Sequence, residues 1–439
     1  MSRSIAFSVA ALALFSLGAV ARAEEGKQEE KSAPAEKPAD KKDAKPAPEK
    51  AVTSKHVIRL GDVEVAYQAT AGVLPLVDAE GKTSAEIFYI AYTRTDMEEG
   101  AARRPLTFSF NGGPGSSSVW LHLGLLGPKR VKLQDNGFAV PPPYELVENE
   151  FSLLGETDLV FIDPVGTGYS RAGKPGDEKN FHGVKEDAAS VAEFIRLYVT
   201  RNGRWPSPKF LIGESYGTTR AAALCGELAR EHRMNLNGVM LVSTVLNFQT
   251  IWGGPGNDLP HVLYLPSYAA TAWYHRRLEP ALQNLPLAEL LKQAEEFAVG
   301  DFSRALMLGH SLPEREKRAV VERAAALTGL RPEFVAASNL RIPLSRFNAE
   351  LLRDQGLVVG RFDSRYTSLV RDPLSGNAER DPSADAIFGA FAATFHHYVR
   401  HDLKFEEDRP YHILAGLGRW NWGADNQFLN VAETLADSM

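Results

Sequence analysis

The chain is predicted to be an α/β protein, a mostly parallel central sheet flanked by helices with a helical cap inserted over it. Three observations lead there. Short apolar runs at residues 106–110, 158–162, 210–212 and 238–243 alternate with helical periodicity, notably over 184–199. Such alternation is the signature of a parallel sheet with helices on both faces. Two glycine-rich loops, Asn111-Gly112-Gly113-Pro114-Gly115 and Gly213-Glu214-Ser215-Tyr216-Gly217, each follow one of these runs, which puts both on the carboxyl edge where open α/β sheets place their sites. From residue 248 to about 400 helical patterns take over and no long strand interrupts them.

Taken in order, residues 1–23 read as an export signal: Arg3 gives the charged start, residues 5–20 an apolar stretch, and Ala21-Arg22-Ala23 a small-x-small cleavage site. A membrane anchor is the alternative, for which the apolar stretch is short. No cysteine follows the signal, which disfavours a lipid-linked form, and periplasmic or secreted placement is expected, with no membrane attachment after cleavage. Residues 24–55 are dominated by Glu, Lys, Ala, Pro, Asp and Gln and are expected to form a disordered charged spacer, because they bury too little surface to offset chain entropy. Attachment to a cell wall is the functional alternative.

The α/β core is expected over residues 56–247, entered by antiparallel strands at 57–60, 63–67 and 85–92. The cap, 248–400, carries helical patterns at 287–298, 313–328, 343–354 and 385–398, and residues 401–439 return to the core, ending in a helical pattern at 430–439. The cap aromatics Trp252, Tyr264, Tyr268 and Trp273 are read as core in preference to pocket.

Composition narrows the function classes. The 439 residues are 44% hydrophobic, enough for a large core, and 49 basic against 55 acidic side chains leave a net charge of -6 with no basic face, so no nucleic-acid partner is expected. The single cysteine, Cys225, falls in the helix after the second glycine loop and is read as a small buried hydrophobe instead of a reactive thiol. No His, Cys or Asp cluster has metal-ligand spacing, and neither metal nor cofactor is expected. No repeat is visible, and the oligomeric state is open.

The chemistry concentrates on Ser215. A serine between two glycines, after an apolar strand and before the alanine-rich helical stretch 218–230, has the form of a nucleophile elbow. Glycine lets neighbouring backbone approach while the hydroxyl projects above the sheet. A glycine-rich turn upstream exposes backbone donors that can stabilise a tetrahedral oxyanion without reorganising.

With these motifs in order, the chain resembles the serine carboxypeptidases, the carboxypeptidase Y-like branch of the α/β-hydrolases. The resemblance rests on residues 110–118, Gly127-Pro128, Asp163-Pro164-Val165-Gly166-Thr167-Gly168-Tyr169-Ser170 and Gly213-Glu214-Ser215-Tyr216-Gly217, and continues loosely through residues 264–268 to the end. It implies an α/β-hydrolase fold and removal of single residues from the free carboxyl end of peptides through a serine ester. By the same resemblance Ser215 is the nucleophile, the N–H groups of Gly113 and Tyr216 form the oxyanion hole, and Asn111, Gly112 and Glu214 hold the substrate carboxylate. Glu214 would have to be protonated to face another carboxylate. Leu125 stands where a second recognition glutamate is usual, and Ser116 where a cysteine is, which suggests a bacterial-type branch.

A triad in this fold runs Ser, then Asp or Glu, then His. His232, His261, His275, His310, His396, His397, His401 and His412 follow the elbow, but none sits after a strand with an aspartate-bearing loop before it, and Asp402 and Asp425 are no better placed. No base is assigned. The resemblance implies that the acid and base segments lie beyond Met439, so the expectation is a truncated carboxypeptidase lacking its last strands and incomplete or inactive as it stands. The alternatives are a related esterase or acyltransferase using Ser215, and a non-catalytic periplasmic peptide-binding protein that keeps the carboxylate cradle.

Overall fold

Residues 49–97 and 100–439 are described by the structure, a computed structural model. The export signal and most of the predicted spacer lie outside them. The last part of the spacer does not stay a coil, since strand β1 spans Lys50–Leu60 and begins six residues ahead of the expected core. Its partner accounts for this: β2, Val63–Val77, pairs antiparallel with it from Lys50↔Val73 to Leu60↔Val63, so each added residue gains ladder bonds on a strand already fixed. The third strand, β3, Thr83–Arg94, continues the meander.

Four further strands complete the main path of the sheet: β4, Leu106–Phe110; β5, Asp158–Ile162; β6, Lys209–Glu214; and β7, Gly238–Val242. The spatial order is β1-β2-β3-β5-β4-β6-β7. β5, β4, β6 and β7 run parallel, while β3 meets β5 antiparallel. An antiparallel entrance, exchanged neighbours at the centre and an elbow strand just beyond them make this an α/β-hydrolase fold. The parallel strands all end at one edge, so the loops after β4, β5 and β6 meet there.

Alternation along the strands sorts side chains onto two faces. Phe88, Ile90, Tyr92 and Phe161 join one apolar cluster, and Ile87, Tyr89, Ala91, Val160 and Ile162 join the other. Helices α1, Val184–Arg201, and α2, Tyr216–His232, cover the second face. The first face is covered partly by the helix Pro382–His397, whose Phe391 and Phe395 pack into the sheet cluster. That helix was expected in the cap, but it packs with the core. The cap's own cluster runs from Leu265 to Val359 and includes residues of α3, Leu259–Tyr274, and α4, Glu314–Thr328. A small hairpin, Leu357–Val359 with Thr367–Leu369, interrupts its helices. The C-terminal helix Ala432–Ser438 forms as predicted.

Where β5 begins, Asp158 is 1% exposed and accepts from Arg104 Nε at 3.0 Å, Arg204 Nη1 at 2.6 Å and the Arg94 N–H at 3.0 Å. A buried carboxylate shared by two guanidiniums is costly to unpair, because the remaining charges have no water to turn to. Asp158→Asn is expected to lower unfolding stability by about 3–5 kcal/mol, read as a fall in the urea midpoint. A shift under 1 kcal/mol would show the cluster to be solvated.

Candidate active site

Ser215 sits between β6 and α2 with φ 55° and ψ -127°, a conformation rarely adopted by a residue with a side chain. Such a backbone costs on the order of 1–3 kcal/mol and persists only where its surroundings dictate it. Here they do. The Ser215 N–H donates to the Val242 carbonyl at 3.0 Å, and its own carbonyl accepts from the Thr218 N–H at 2.9 Å and the Thr218 hydroxyl at 2.7 Å. Thr218 Oγ1 also accepts from the Val245 N–H at 2.8 Å, which ties the elbow to the chain after β7.

The glycines of both loops are explained by backbone proximity. A Cβ on Gly112 would stand 2.4 Å from the Tyr216 nitrogen and 2.6 Å from that of Gly217, and one on Gly213 would stand 2.2 Å from the Gly217 carbonyl oxygen. The Asn-Gly-Gly loop therefore lies directly on the elbow. Gly113 follows with φ 99°, in the region that favours glycine. The predicted residues Asn111, Gly112, Glu214, Ser215 and Tyr216 are thus brought together, with Gly113 next in the same loop. Ser215 also immediately precedes the 17-residue helix α2, whose first N–H groups lack intrahelical partners and favour negative charge.

Beside the serine, the Asn111 amide donates to Glu214 Oε2 at 3.0 Å while its own oxygen accepts from the Leu121 N–H at 3.0 Å. Burial pushes the Glu214 carboxyl above the ordinary glutamate range, against the opposing pull of Asn111, the Gly112 N–H and Arg361. Beneath it lies a layer that the sequence reading missed. Arg220, 1% exposed, donates to Asp187 Oδ2 at 2.8 Å and to the Asn111 carbonyl at 2.6 Å, and the Tyr216 hydroxyl reaches the same Asp187 oxygen at 3.1 Å. A signal for it exists: Asp187 falls on the face of α1 that carries Val184, Ala188 and Val191, and a lone carboxylate on an apolar face requires a buried partner.

The third loop contributes Asp163. Its Oδ1 accepts from the Ser118 N–H at 2.8 Å and the Ser118 hydroxyl at 2.9 Å, so it fastens the chain just after the Asn-Gly-Gly loop. Its Oδ2 is buried without a hydrogen-bond partner.

No described histidine is hydrogen-bonded to Ser215. His412 is exposed and bonded through its backbone to Gly168, His275 Nε2 is 2.6 Å from the Ser364 carbonyl, and His261 Nδ1 is 3.4 Å from that of Ile342. Cys225 is buried, which pushes its thiol up to about 11. Among the described residues no group of three His, Cys, Asp or Glu could hold a metal ion. The cap aromatics divide: Trp252, Tyr264 and Tyr268 line a cleft of about 610 Å³, whereas Trp273 packs against the cap core. Trp252, 45% exposed, departs from the reading as core, whereas Tyr268, 4% exposed and stacked between Tyr264 and Phe347, belongs to the cap core as well as to the cleft wall.

Residues 64–254 match a family model described as serine carboxypeptidase. Serine carboxypeptidase-like 29 of Arabidopsis thaliana is 28% identical over 178 residues, 37% of this chain and 35% of the relative. Pheromone-processing carboxypeptidase KEX1 of Saccharomyces cerevisiae is 37% identical over 108 residues, 24% of this chain and 13% of the relative. The matches thus span about a third or less of those relatives' length. The crystal structure of a prohormone-processing carboxypeptidase from Saccharomyces cerevisiae aligns with a TM-score of 0.36 and 22% identity, covering 60% of this chain and 53% of that one.

Asp163 yields a pH test. Burial raises its carboxyl from 3.8 to about 6, against the opposing pull of Ser118. The folded state therefore holds the proton more tightly than the unfolded chain, so this contribution to stability is full below 3.8 and lost as pH rises through about 6. Asp163→Asn, neutral at every pH, is expected to lose less stability than the wild type between pH 4 and pH 7, by up to about 3 kcal/mol. Parallel melting-temperature profiles for the two proteins would contradict this.

Proposed function

We propose, for a chain whose residues 64–254 match the family model described as serine carboxypeptidase, that it is a serine-type carboxypeptidase acting on the last peptide bond of peptides with a free carboxyl end. The observation that carries this reading is the strained backbone of Ser215 at the start of α2 with the Asn111–Glu214 hydrogen bond beside it. That arrangement joins a presented hydroxyl to a corner suited to a carboxylate.

In this reading Ser215 Oγ attacks the carbonyl carbon of the last peptide bond. The N–H groups of Gly113 and Tyr216 receive the oxyanion, each contributing about 3 kcal/mol to the barrier reduction. The bond to the terminal residue breaks, that residue leaves as a free amino acid, and water releases the acyl group. Asn111, the Gly112 N–H and a protonated Glu214 orient the terminal carboxylate. The serine proton needs a base, and no described residue is assigned that role. An oxyanion hole and binding alone leave only a small part of triad catalysis. Export directed by residues 1–23, to the periplasm or the outside, completes the proposal. Among the described residues no helix is long and apolar enough to cross a membrane.

Among the described residues no base is bonded to Ser215, and a second reading is a peptide-binding protein that retains the cradle without turnover. A serine-directed fluorophosphonate separates the two. The carboxypeptidase reading expects stoichiometric labelling of the full chain, abolished by Ser215→Ala, whereas a chain that stays unlabelled would be a binder. An esterase of the same descent would act equally on a blocked dipeptide acid and its amide, where a carboxypeptidase requires the free acid.

Glu214 gives the reading a pH signature. Its raised carboxyl carries a proton at acid pH and ionises as pH rises, after which two like charges face each other. The Kd for a blocked dipeptide acid on the Ser215→Ala protein is therefore expected to rise with pH through the Glu214 titration, and Glu214→Gln to flatten the profile. Equal slopes in the two proteins would exclude a protonated Glu214 from carboxylate binding.

A further inference from the structure

The cleft walled by Trp252 holds an unspent positive charge. It opens between the loop 251–256, α3 and the segment 341–344, and Arg361 lies in its wall. Its other guanidinium, on Arg341, is already held by both oxygens of Asp258 at 2.7 and 2.6 Å. Arg361 differs. Its backbone N–H is fixed by Asp381 Oδ1 at 2.9 Å, and the next N–H, of Phe362, by Ser383 Oγ at 3.1 Å. Its side chain is exposed, rests over the Phe362 ring at 5.1 Å from the centroid, and forms no ion pair among the described residues. The main chain is anchored and the guanidinium is free.

Its surroundings say what it could meet. The cleft reaches the elbow through Trp252, whose ring lies 4.5 Å from that of Phe248, a member of the cluster that holds Tyr216, and the Arg361 charge acts on Glu214 electrostatically. Leu125, where the family resemblance expects a second acid, is a hydrocarbon side chain, 48% exposed, that can make no hydrogen bond. A corner with one glutamate and an adjacent fixed cation is suited to a permanent anion. Guanidinium and carboxylate match as a planar two-bond pair, and arginine keeps its charge at every physiological pH.

We propose that Arg361 is the second carboxylate-binding group of this site: its guanidinium pairs with the free terminal carboxylate of the peptide, while the last side chain enters the cleft walled by Trp252, Tyr264 and Tyr268. The inference rests on the carboxypeptidase reading and adds a residue to it. Recognition then combines the neutral cradle of Asn111, Gly112 and protonated Glu214 with one charge-assisted contact, in place of two acids sharing protons.

The test uses the full chain carrying Ser215→Ala, which prevents turnover, and calorimetric titration with benzyloxycarbonyl-Phe-Leu and its C-terminal amide. The Ser215→Ala protein is expected to bind the acid more tightly than the amide. Adding Arg361→Gln should weaken the acid about tenfold, the scale of one charged hydrogen-bonded contact, and leave the amide unchanged. Adding Arg361→Lys should restore most of the loss. Unchanged acid affinity in Arg361→Gln, an equal loss for acid and amide, or a loss confined to peptides ending in Asp or Glu would each overturn the role given to Arg361. If acid preference survives Arg361→Gln, only that role falls. If the Ser215→Ala protein shows no acid preference at all, the carboxypeptidase reading falls with it.

Discussion

The guanidinium of Arg220 is the constraint on which the geometry of the site rests. From one buried position it reaches Asp187 on α1 and the Asn111 carbonyl after β4, while lying against the rings of Phe110 and Tyr216. Those groups come from three stretches of chain far apart in sequence. Because Arg220 belongs to the elbow helix and Asn111 to the facing loop, the two loops keep a single relative position. A flexible ammonium could not make the same set of planar contacts. Asp187, buried and paired, then has a satisfied partner instead of an isolated charge.

This brace makes the strain at Ser215 sustainable. Left to itself, a side-chain-bearing residue at φ 55° would relax. It is held on one side by the Val242 carbonyl and on the other by Thr218, and the close backbone of Gly112 closes the remaining direction. Glycine is required at Gly112 because any side chain there would occupy the space of the Tyr216 and Gly217 nitrogens. The sheet supplies the frame, since three parallel strands ending at one edge deliver three loops to the same place, and Asp163 secures the third to Ser118.

Much of this frame was legible in the sequence. Short apolar runs marked all four parallel strands because buried strands carry an unbroken hydrophobic signal. The antiparallel entrance was recognised but underestimated. Residues such as Thr53, Ser54 and Lys55 bear no apolar pattern of their own and become strand only through the ladder with β2. The two glycine loops revealed the site because their composition follows from backbone crowding. The brace beneath was harder to see: Asp187 sits on an apolar helix face and so calls for a buried partner, but nothing in the sequence names the distant Arg220 as that partner. Arg361 and the aromatic cleft were least visible, for a pocket wall depends on how the cap folds over the sheet, and no periodicity encodes that. Helix Pro382–His397 shows the same limit: its apolar face was evident, but which cluster it joins was not.

One feature of the sheet bears on how the molecule behaves in company. β7 pairs with β6 on one side, no described strand lies along its other side, and Met240 on it is 40% exposed. A parallel sheet usually ends under cover, and a bare margin offers a row of amide donors and acceptors to any extended polypeptide. Among the described residues β7 is thus the edge strand next to the elbow strand, and an extended polypeptide laid along it would lie one strand away from the serine.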